Sequence, residues 1–182
     1  LIPTSTLRFT EDADAEVLEL FFKDKQSSMV VVFPKDQNIG INNFVQQTLS
    51  KTTVDQWFND LAYPANNNSN FSVQLPKFGF DSDFDLVGTL ETLGIRDAFS
   101  RVACNLSKMA DAPLFVDKIK HKTVISTDEG GVEAAGATAV GIGVTSVPPI
   151  ERTMTFNRPF VFIIKDTETN SILFIGHLQD PS

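Results

Sequence analysis

Apolar residues along this chain gather into short runs with two different periods. "SSMVVVF" (27–33) is a compact apolar block closed by Pro34, the pattern of a buried strand. "FVFII" (160–164) and "ILFI" (172–175) are two more such blocks, apolar enough to demand cover on both faces. "KDTETNS" (165–171) between them reads as a hairpin loop. "INNFVQQTLSKTTVDQWFNDLA" (41–62) changes to helical spacing and predicts two short helices. Thr53 and Gln56 stand there at capping-box spacing, with Trp57 and Leu61 one turn apart. "FSVQLPKFGF" (71–80) predicts a strand interrupted at Pro76. In "DSDFDLVGTLETLG" (81–94), Leu86, Val87, Leu90 and Leu93 share one helical face and Gly94 stands at the C-terminal cap. Asp81, Asp83 and Asp85 then fall in that helix's first turn, where carboxylates favour the dipole. "KIKHKTVIST" (118–127) alternates enough for a strand whose basic end is solvated. Together these elements make an α+β chain with long, largely antiparallel strands and no internal repeat.

One segment fits neither pattern. "EGGVEAAGATAVGIGVTS" (129–146) carries no charge between Glu133 and Glu151. Read with a period of two, one face holds Val132, Ala134, Gly136, Thr138, Val140, Ile142 and Val144. The other holds Glu133, Ala135, Ala137, Ala139, Gly141 and Gly143. Every branched residue lies on the first face, the pattern of a strand with one core-facing side. Yet Gly and Ala have low strand propensity, so the run would not hold a sheet unaided. The pattern suits a conditional strand, an exposed loop able to enter a sheet later, over the competing readings of a flexible linker or a membrane-inserting Gly/Ala segment. Extended, residues 134–144 would span about 36 Å at ~3.3 Å per residue.

Composition narrows the rest. A length of 182 residues suits one domain or a piece of a larger one, and 42% hydrophobic content with 16 Phe is enough for a real core. The net charge of −8 argues against nucleic acid as a partner. No window reaches the roughly 18 apolar residues that would cross a bilayer. Cys104 is alone, which precludes an internal disulfide or a cysteine metal site and suits a small buried filler. The two histidines, His121 and His177, belong to no catalytic or metal motif. Asp81, Asp83 and Asp85 are spaced like a calcium loop, but Leu86 and Thr92 occupy the positions that need Gly and Glu. No cofactor or metal is called for, and nothing points to an enzyme. Lys118, Lys120, His121 and Lys122 form a basic cluster, either a solvated strand end or a seat for a polyanion such as heparin. Asn67, Asn70 and Asn105 each begin an Asn-x-Ser sequon and are glycosylation candidates.

Several stretches together resemble the serpins. "EGGVEAAGATA" (129–139) is similar to the family hinge, usually Glu-x-Gly-Thr-Glu-Ala-Ala-x-Ala-Thr-Ala. "MTFNRPFVFII" (154–164) resembles the family signature, and "ILFIGHLQDP" (172–181) the closing motif, with His177 where Arg is common. "LPKF" (75–78), "LETLGIRDAF" (90–99), "CNLSKM" (104–109) and "HKTVIS" (121–126) fall in family order. The resemblance covers essentially the whole chain, but a serpin is roughly twice as long. It therefore implies the C-terminal half of one serpin domain over residues 1–182: strands of sheets A, B and C, a few helices and an exposed reactive-centre loop. The loop falls at about 129–150 and the last sheet B strands at about 159–178. Strands near 72–78 and 120–127 are the expected members of sheet A, and about 200 further residues upstream are expected by analogy.

The resemblance also implies a function. A serpin is a suicide substrate for a serine protease: the loop is cut, then inserts into sheet A. Family spacing puts the scissile bond at Thr145-Ser146, and the hinge at Glu129, Gly130, Gly131, Val132, Glu133, Ala134, Ala135, Gly136, Ala137, Thr138 and Ala139. "SVPP" (146–149) resembles the corresponding stretch of antitrypsin-like members. Val144 and Thr145 suit an elastase-like or chymotrypsin-like pocket rather than a trypsin-like one. Val132 replaces the usual Thr or Ser and remains compatible with insertion. A secreted, extracellular glycoprotein is expected. The alternative is a non-inhibitory hormone carrier or precursor, of the corticosteroid-binding globulin or angiotensinogen kind; residues 131–149 also resemble the loop of corticosteroid-binding globulin. Asn170 stands where the steroid carriers have Trp.

Overall fold

The structure, a computed structural model, describes residues 7–62, 71–127 and 152–181. In chain order its elements are β1 (Leu7–Glu11), β2 (Ala15–Phe21), β3 (Ser27–Pro34), α1 (Ile41–Thr48), α2 (Lys51–Ala62), β4 (Phe71–Gln74), β5 (Gly79–Asp85), α3 (Val87–Thr92), β6 (Lys120–Ser126), β7 (Arg152–Thr155), β8 (Phe160–Asp166) and β9 (Ile172–Leu178). The contacts separate two units: one drawn from residues up to Phe78 and from Thr127 onward, the other Gly79–Ser126.

The first unit is built on a five-stranded antiparallel sheet in the order β1-β2-β3-β8-β9. The apolar blocks at 27–33 and 160–164 are its central strands, because only a strand covered on both faces can use apolar residues at every position. One face carries Ala15, Val17, Val30, Val32, Val161 and Ile163. It packs on Ile41 and Phe44 of α1 and Val54, Trp57, Phe58 and Leu61 of α2. The opposite face presents Phe33, Phe160 and Phe162, which meet Phe78 and Phe156. β9, the third apolar block read from the sequence, lies at the edge of this sheet. Ile172, Leu173, Phe174 and Ile175 remain 46–53% exposed, so among the described residues the expected cover on both faces is present for β8 and not for β9.

Local signals hold in part. Both helices over 41–62 form, but the α2 cap is Ser50, not Thr53: the Ser50 hydroxyl accepts the Thr53 amide at 3.1 Å. The helix starts one turn earlier than the Thr53–Gln56 spacing suggested, and Gln56 instead donates to Asp60 at 2.8 Å. Asp12 organises the β1–β2 turn. One of its carboxylate oxygens accepts the Asp14 and Ala15 amides at 2.8 Å, and the other accepts the buried Trp57 indole N–H at 2.6 Å.

The second unit pairs β5 with β6, antiparallel, from Gly79↔Ser126 to Asp85↔Lys120. Here two expectations are corrected. Asp81, Asp83 and Asp85 lie on a strand, not in a helical turn, because a period of two places each of them against the lysine-rich β6. The helix shortens to Val87–Thr92, and Gly94 ends it with φ of +96°, the left-handed conformation expected of a cap. The strand beside β6 is 79–85 rather than 72–78. The stretch interrupted at Pro76 divides, and its first half, β4, joins β7 in a parallel pair.

Candidate functional site

The conditional strand, with the hinge residues 129–139 and Thr145-Ser146, lies outside the described residues, as do Asn67 and Asn70. The structure shows the two roots from which residues 128–151 spring. At the first, Thr127 closes on Phe78 through three hydrogen bonds. Its amide donates to the Phe78 carbonyl at 2.9 Å, and its hydroxyl accepts the Phe78 amide and donates to the Phe78 carbonyl, both at 3.0 Å. The Phe78 ring is buried, with its centroid 5.7 Å from those of Phe160 and Phe162.

At the second root, β7 leads into Phe156, whose amide donates to the Gln74 carbonyl at 2.9 Å. The Phe156 ring is buried edge-on to Phe33 at 5.0 Å and to Phe160 at 6.1 Å. Both roots are thus anchored in one aromatic cluster on β3 and β8. Edge-to-face rings at these separations favour a fixed arrangement beyond simple burial. The chain is thus held on either side of residues 128–151, and in the sequence residues 134–147 carry no side chain larger than Ile.

β6 ends one residue before the first root. It has β5 on one side, and among the described residues no strand pairs with its other side. A row of main-chain donors and acceptors directly upstream of residue 128 is a template for one more strand. The basic cluster on β6 is not a free cationic patch. Lys120 lies 3.4 Å from Asp83 and Lys122 3.7 Å from Asp81, while His121 shares a 2.9 Å hydrogen bond with Thr123.

Asn105 is exposed, and its side-chain carbonyl accepts both the amide and the hydroxyl of Ser107, at 3.2 and 2.7 Å. Cys104 is free and half-buried. Among the described residues no three His, Cys, Asp or Glu side chains converge as metal ligands. A cleft of about 580 Å³ lies in the first unit between the α1–α2 link and the β8–β9 turn, lined among others by Val54, Phe58, Asn170 and Ile175. Sequence reasoning missed Thr127 and Phe78 as a root, since neither residue type nor spacing marks a contact made 49 residues apart.

Comparison with known proteins is consistent along the chain. A family model described as Serpin (serine protease inhibitor) matches residues 3–181. Serpin B11 of Homo sapiens is 33% identical over 99% of this chain and 45% of its own length. The Leukocyte elastase inhibitor of Equus caballus is 34% identical over 95% of this chain and 45% of its own length. The native-state crystal structure of tengpin, a thermophilic serpin, superposes with a TM-score of 0.75 at 32% identity, covering 96% of this chain and 44% of that one. The chain therefore spans less than half the length of these relatives.

Proposed function

The chain belongs to the serpin family, and we propose that it is the C-terminal portion of a serine protease inhibitor that acts as a suicide substrate. Residues 129–150 are its reactive-centre loop, and Thr145-Ser146 the scissile bond. The protease serine attacks the Thr145 carbonyl, the Ser146 amine leaves, and Thr145 remains as an acyl ester on the enzyme. This chain supplies no catalytic group. It supplies bait, and then a strand.

The observation that carries this reading is that, among the described residues, no strand pairs with the second edge of β6, and that β6 is soon followed in sequence by a small-residue stretch patterned as a strand. Residues 129–139 turn back and add beside β6. About ten new strand hydrogen bonds at ~1 kcal/mol net each, plus burial of the Val132–Val144 face, make the step strongly downhill. The acylated protease is drawn along with Thr145 and its active site distorted. Small hinge residues matter because each inward side chain must pass into a closing sheet.

The target is an elastase-like or chymotrypsin-like protease, on the strength of Val144 and Thr145. The similarity to a protein named Leukocyte elastase inhibitor agrees with that choice. The working inhibitor also requires an upstream half, and the 45% coverage of the relatives supports this. The test is incubation of full-length protein with an elastase-like protease, followed by a denaturing gel. An SDS-stable adduct is expected, and clean cleavage alone overturns inhibition. We place the protein outside the cell and glycosylated at Asn105, on an exposed turn. Expression in a secreting eukaryotic host should give a glycosidase-sensitive mass shift that Asn105→Gln reduces.

The cleft beside Asn170 favours a second reading, a non-inhibitory carrier, because it offers an apolar wall of Val54, Phe58 and Ile175 to a small ligand. Cleavage without an adduct, together with saturable binding of a hydrophobic probe there, would decide for it.

A further inference from the structure

Three of the four pairings in the five-stranded sheet join strands that follow one another in the chain: β1 with β2, β2 with β3, and β8 with β9. A short connection fixes the register of such pairs. The fourth, β3 with β8, joins Ser27–Pro34 to Phe160–Asp166 and has no turn of its own to set it. Its apolar residues do not set it either. On the helix-covered face Val30 stands opposite Ile163, and Val32 opposite Val161. A slip of two residues keeps every side chain on its face and trades one branched aliphatic partner for another. Cores accept such trades and lose uniqueness before they lose stability.

One contact across this seam is not interchangeable. Ser28 stands opposite Lys165, and Glu19 reaches over from β2. The Lys165 ammonium lies 3.0 Å from a Glu19 oxygen that also accepts the Ser28 hydroxyl at 2.8 Å. All three residues are buried. A slip that sets Ser27 opposite Ile164 carries Lys165 outward by about 6.6 Å, at ~3.3 Å per residue, and strands Glu19. A slip that sets Ser27 opposite Glu168 puts Lys165 against Val30, inside the apolar cluster that β2 and β3 share with both helices. Either way a buried charge loses its partner or its place. The Thr167 hydroxyl also ties the two strands' ends, by bonding to the carbonyls of Lys25 and Gln26. Those bonds are exposed, so water replaces them at small cost.

We propose that the buried Glu19–Lys165 pair is a register lock, selecting one alignment of β8 on β3. It crosses the sheet where neither a turn nor apolar packing discriminates. Its worth lies in the alignments it forbids more than in the stability it adds. The alignment matters beyond the sheet, because it places Phe160 under Phe78 and Phe156, the two roots described above. The inference does not depend on the inhibitor reading.

The test uses full-length protein with its native cysteines replaced by Ser, refolded from urea in a thiol–disulfide buffer. Ser27→Cys is combined with Asp166→Cys, opposite it in this structure, or with Ile164→Cys or Glu168→Cys, opposite it only after a slip. Cysteines more than about 7 Å apart at Cα do not bridge, so closure reports register. With Glu19 and Lys165 in place, only the 27–166 pair should close. In the double variant Glu19→Met, Lys165→Met, closure of a slipped pair should rise about a hundredfold, the weight that a stranded buried charge sets against slipping. Ser28→Ala removes a buried hydrogen bond but keeps both charges, and should still close only 27–166. Exclusive 27–166 closure in the double variant overturns the proposal. Equal slipping in S28A also overturns it, because general loosening would then suffice. A double variant that yields no folded protein overturns it too, since the pair would then be a stability element rather than a lock.

Discussion

Lys165→Met and Glu19→Gln combined should destabilise this protein far less than the sum of the two single substitutions. The two side chains form a buried ion pair in the first unit, with Glu19 fully buried and Lys165 4% exposed. The Lys165 ammonium lies 3.0 Å from one oxygen of Glu19, and the Ser28 hydroxyl donates to that same oxygen at 2.8 Å. The second Glu19 oxygen has no hydrogen-bond partner, and Arg8 stands 3.7 Å from it. Lys165 also donates to Asn170 at 2.7 Å and sits 4.9 Å over the Phe58 ring. The strand register explains the row, since Arg8 pairs with Glu19 and Ser28 with Lys165 across four strands.

At 3.0 Å, an effective dielectric of about 20 gives a gross attraction of ~5.5 kcal/mol. Desolvating each ion costs several kcal/mol, so the pair contributes little net stability. Removing one member is different, because it strands the other charge in the core. K165M leaves Glu19 with Ser28 and a distant Arg8, and should cost ~3 kcal/mol. E19Q keeps an acceptor near Lys165 and should cost ~2 kcal/mol. The double variant leaves no buried charge and should cost only about 2–3 kcal/mol, a coupling near 2–3 kcal/mol. Urea unfolding of the full-length protein, followed by far-ultraviolet circular dichroism, measures all four corners. Additivity within about 0.5 kcal/mol would refute the argument, as would a K165M loss below ~1 kcal/mol.

Gly176→Ala should destabilise by ~1–3 kcal/mol, because a Cβ there would stand 2.6 Å from the tip of the buried Phe162 ring; pairing it with Phe162→Leu should recover part of the loss on melting. The Asp12 carboxyl is raised by burial, but hydrogen bonds from Trp57, Ala15 and Asp14, with Lys35 nearby, outweigh that and hold it below its ordinary value of 3.8. Its contribution to stability is therefore complete above pH 3.8 and lost as pH falls through the lower folded value. Asp12→Ala should flatten that acid slope, read from the fluorescence of Trp57, the one Trp of these 182 residues. Val132→Arg or Thr138→Arg should slow insertion and raise the cleaved fraction on a gel, since either must bury a charge. Residues 1–182 expressed alone should bind a hydrophobic dye and aggregate through the exposed Ile172–Ile175 edge, and a sharp monomeric melt would contradict this.

The parts legible in the sequence are those whose cause is local. "SSMVVVF" and "FVFII" announce themselves because a strand buried on both faces leaves no polar position. The helices over 41–62 follow from their spacing, and Gly94 from the one conformation that its neighbours avoid. The misread carboxylates show the limit. Asp81, Asp83 and Asp85 satisfy a helical first turn and a strand face alike, and only their partners on β6 decide between the two. Pro76 marked a break without telling that its flanks join different partners. Glu19 carries no mark in the sequence, since either glutamate of "AEVLELFF" looks like a solvated position until Lys165 arrives beside one of them.

The candidate site divides along the same line. The part of it proposed to insert is written in residue types: small side chains and branched residues on one face. These are constraints on a strand not yet paired, so they depend on no partner and survive in one dimension. Its fixed part is written in contacts. Phe78 and Phe156 look like any other of the 16 phenylalanines, and Thr127 like any threonine at a strand end. Their roles come from the face of β3 and β8 on which they meet. A loop that must change partners can carry its own instructions, whereas the anchor it swings from is defined by what it touches. If the proposed function holds, substitutions in residues 129–146 should therefore act on the rate of insertion, and substitutions of Phe78 or Phe156 on the stability of the sheet face they pack on.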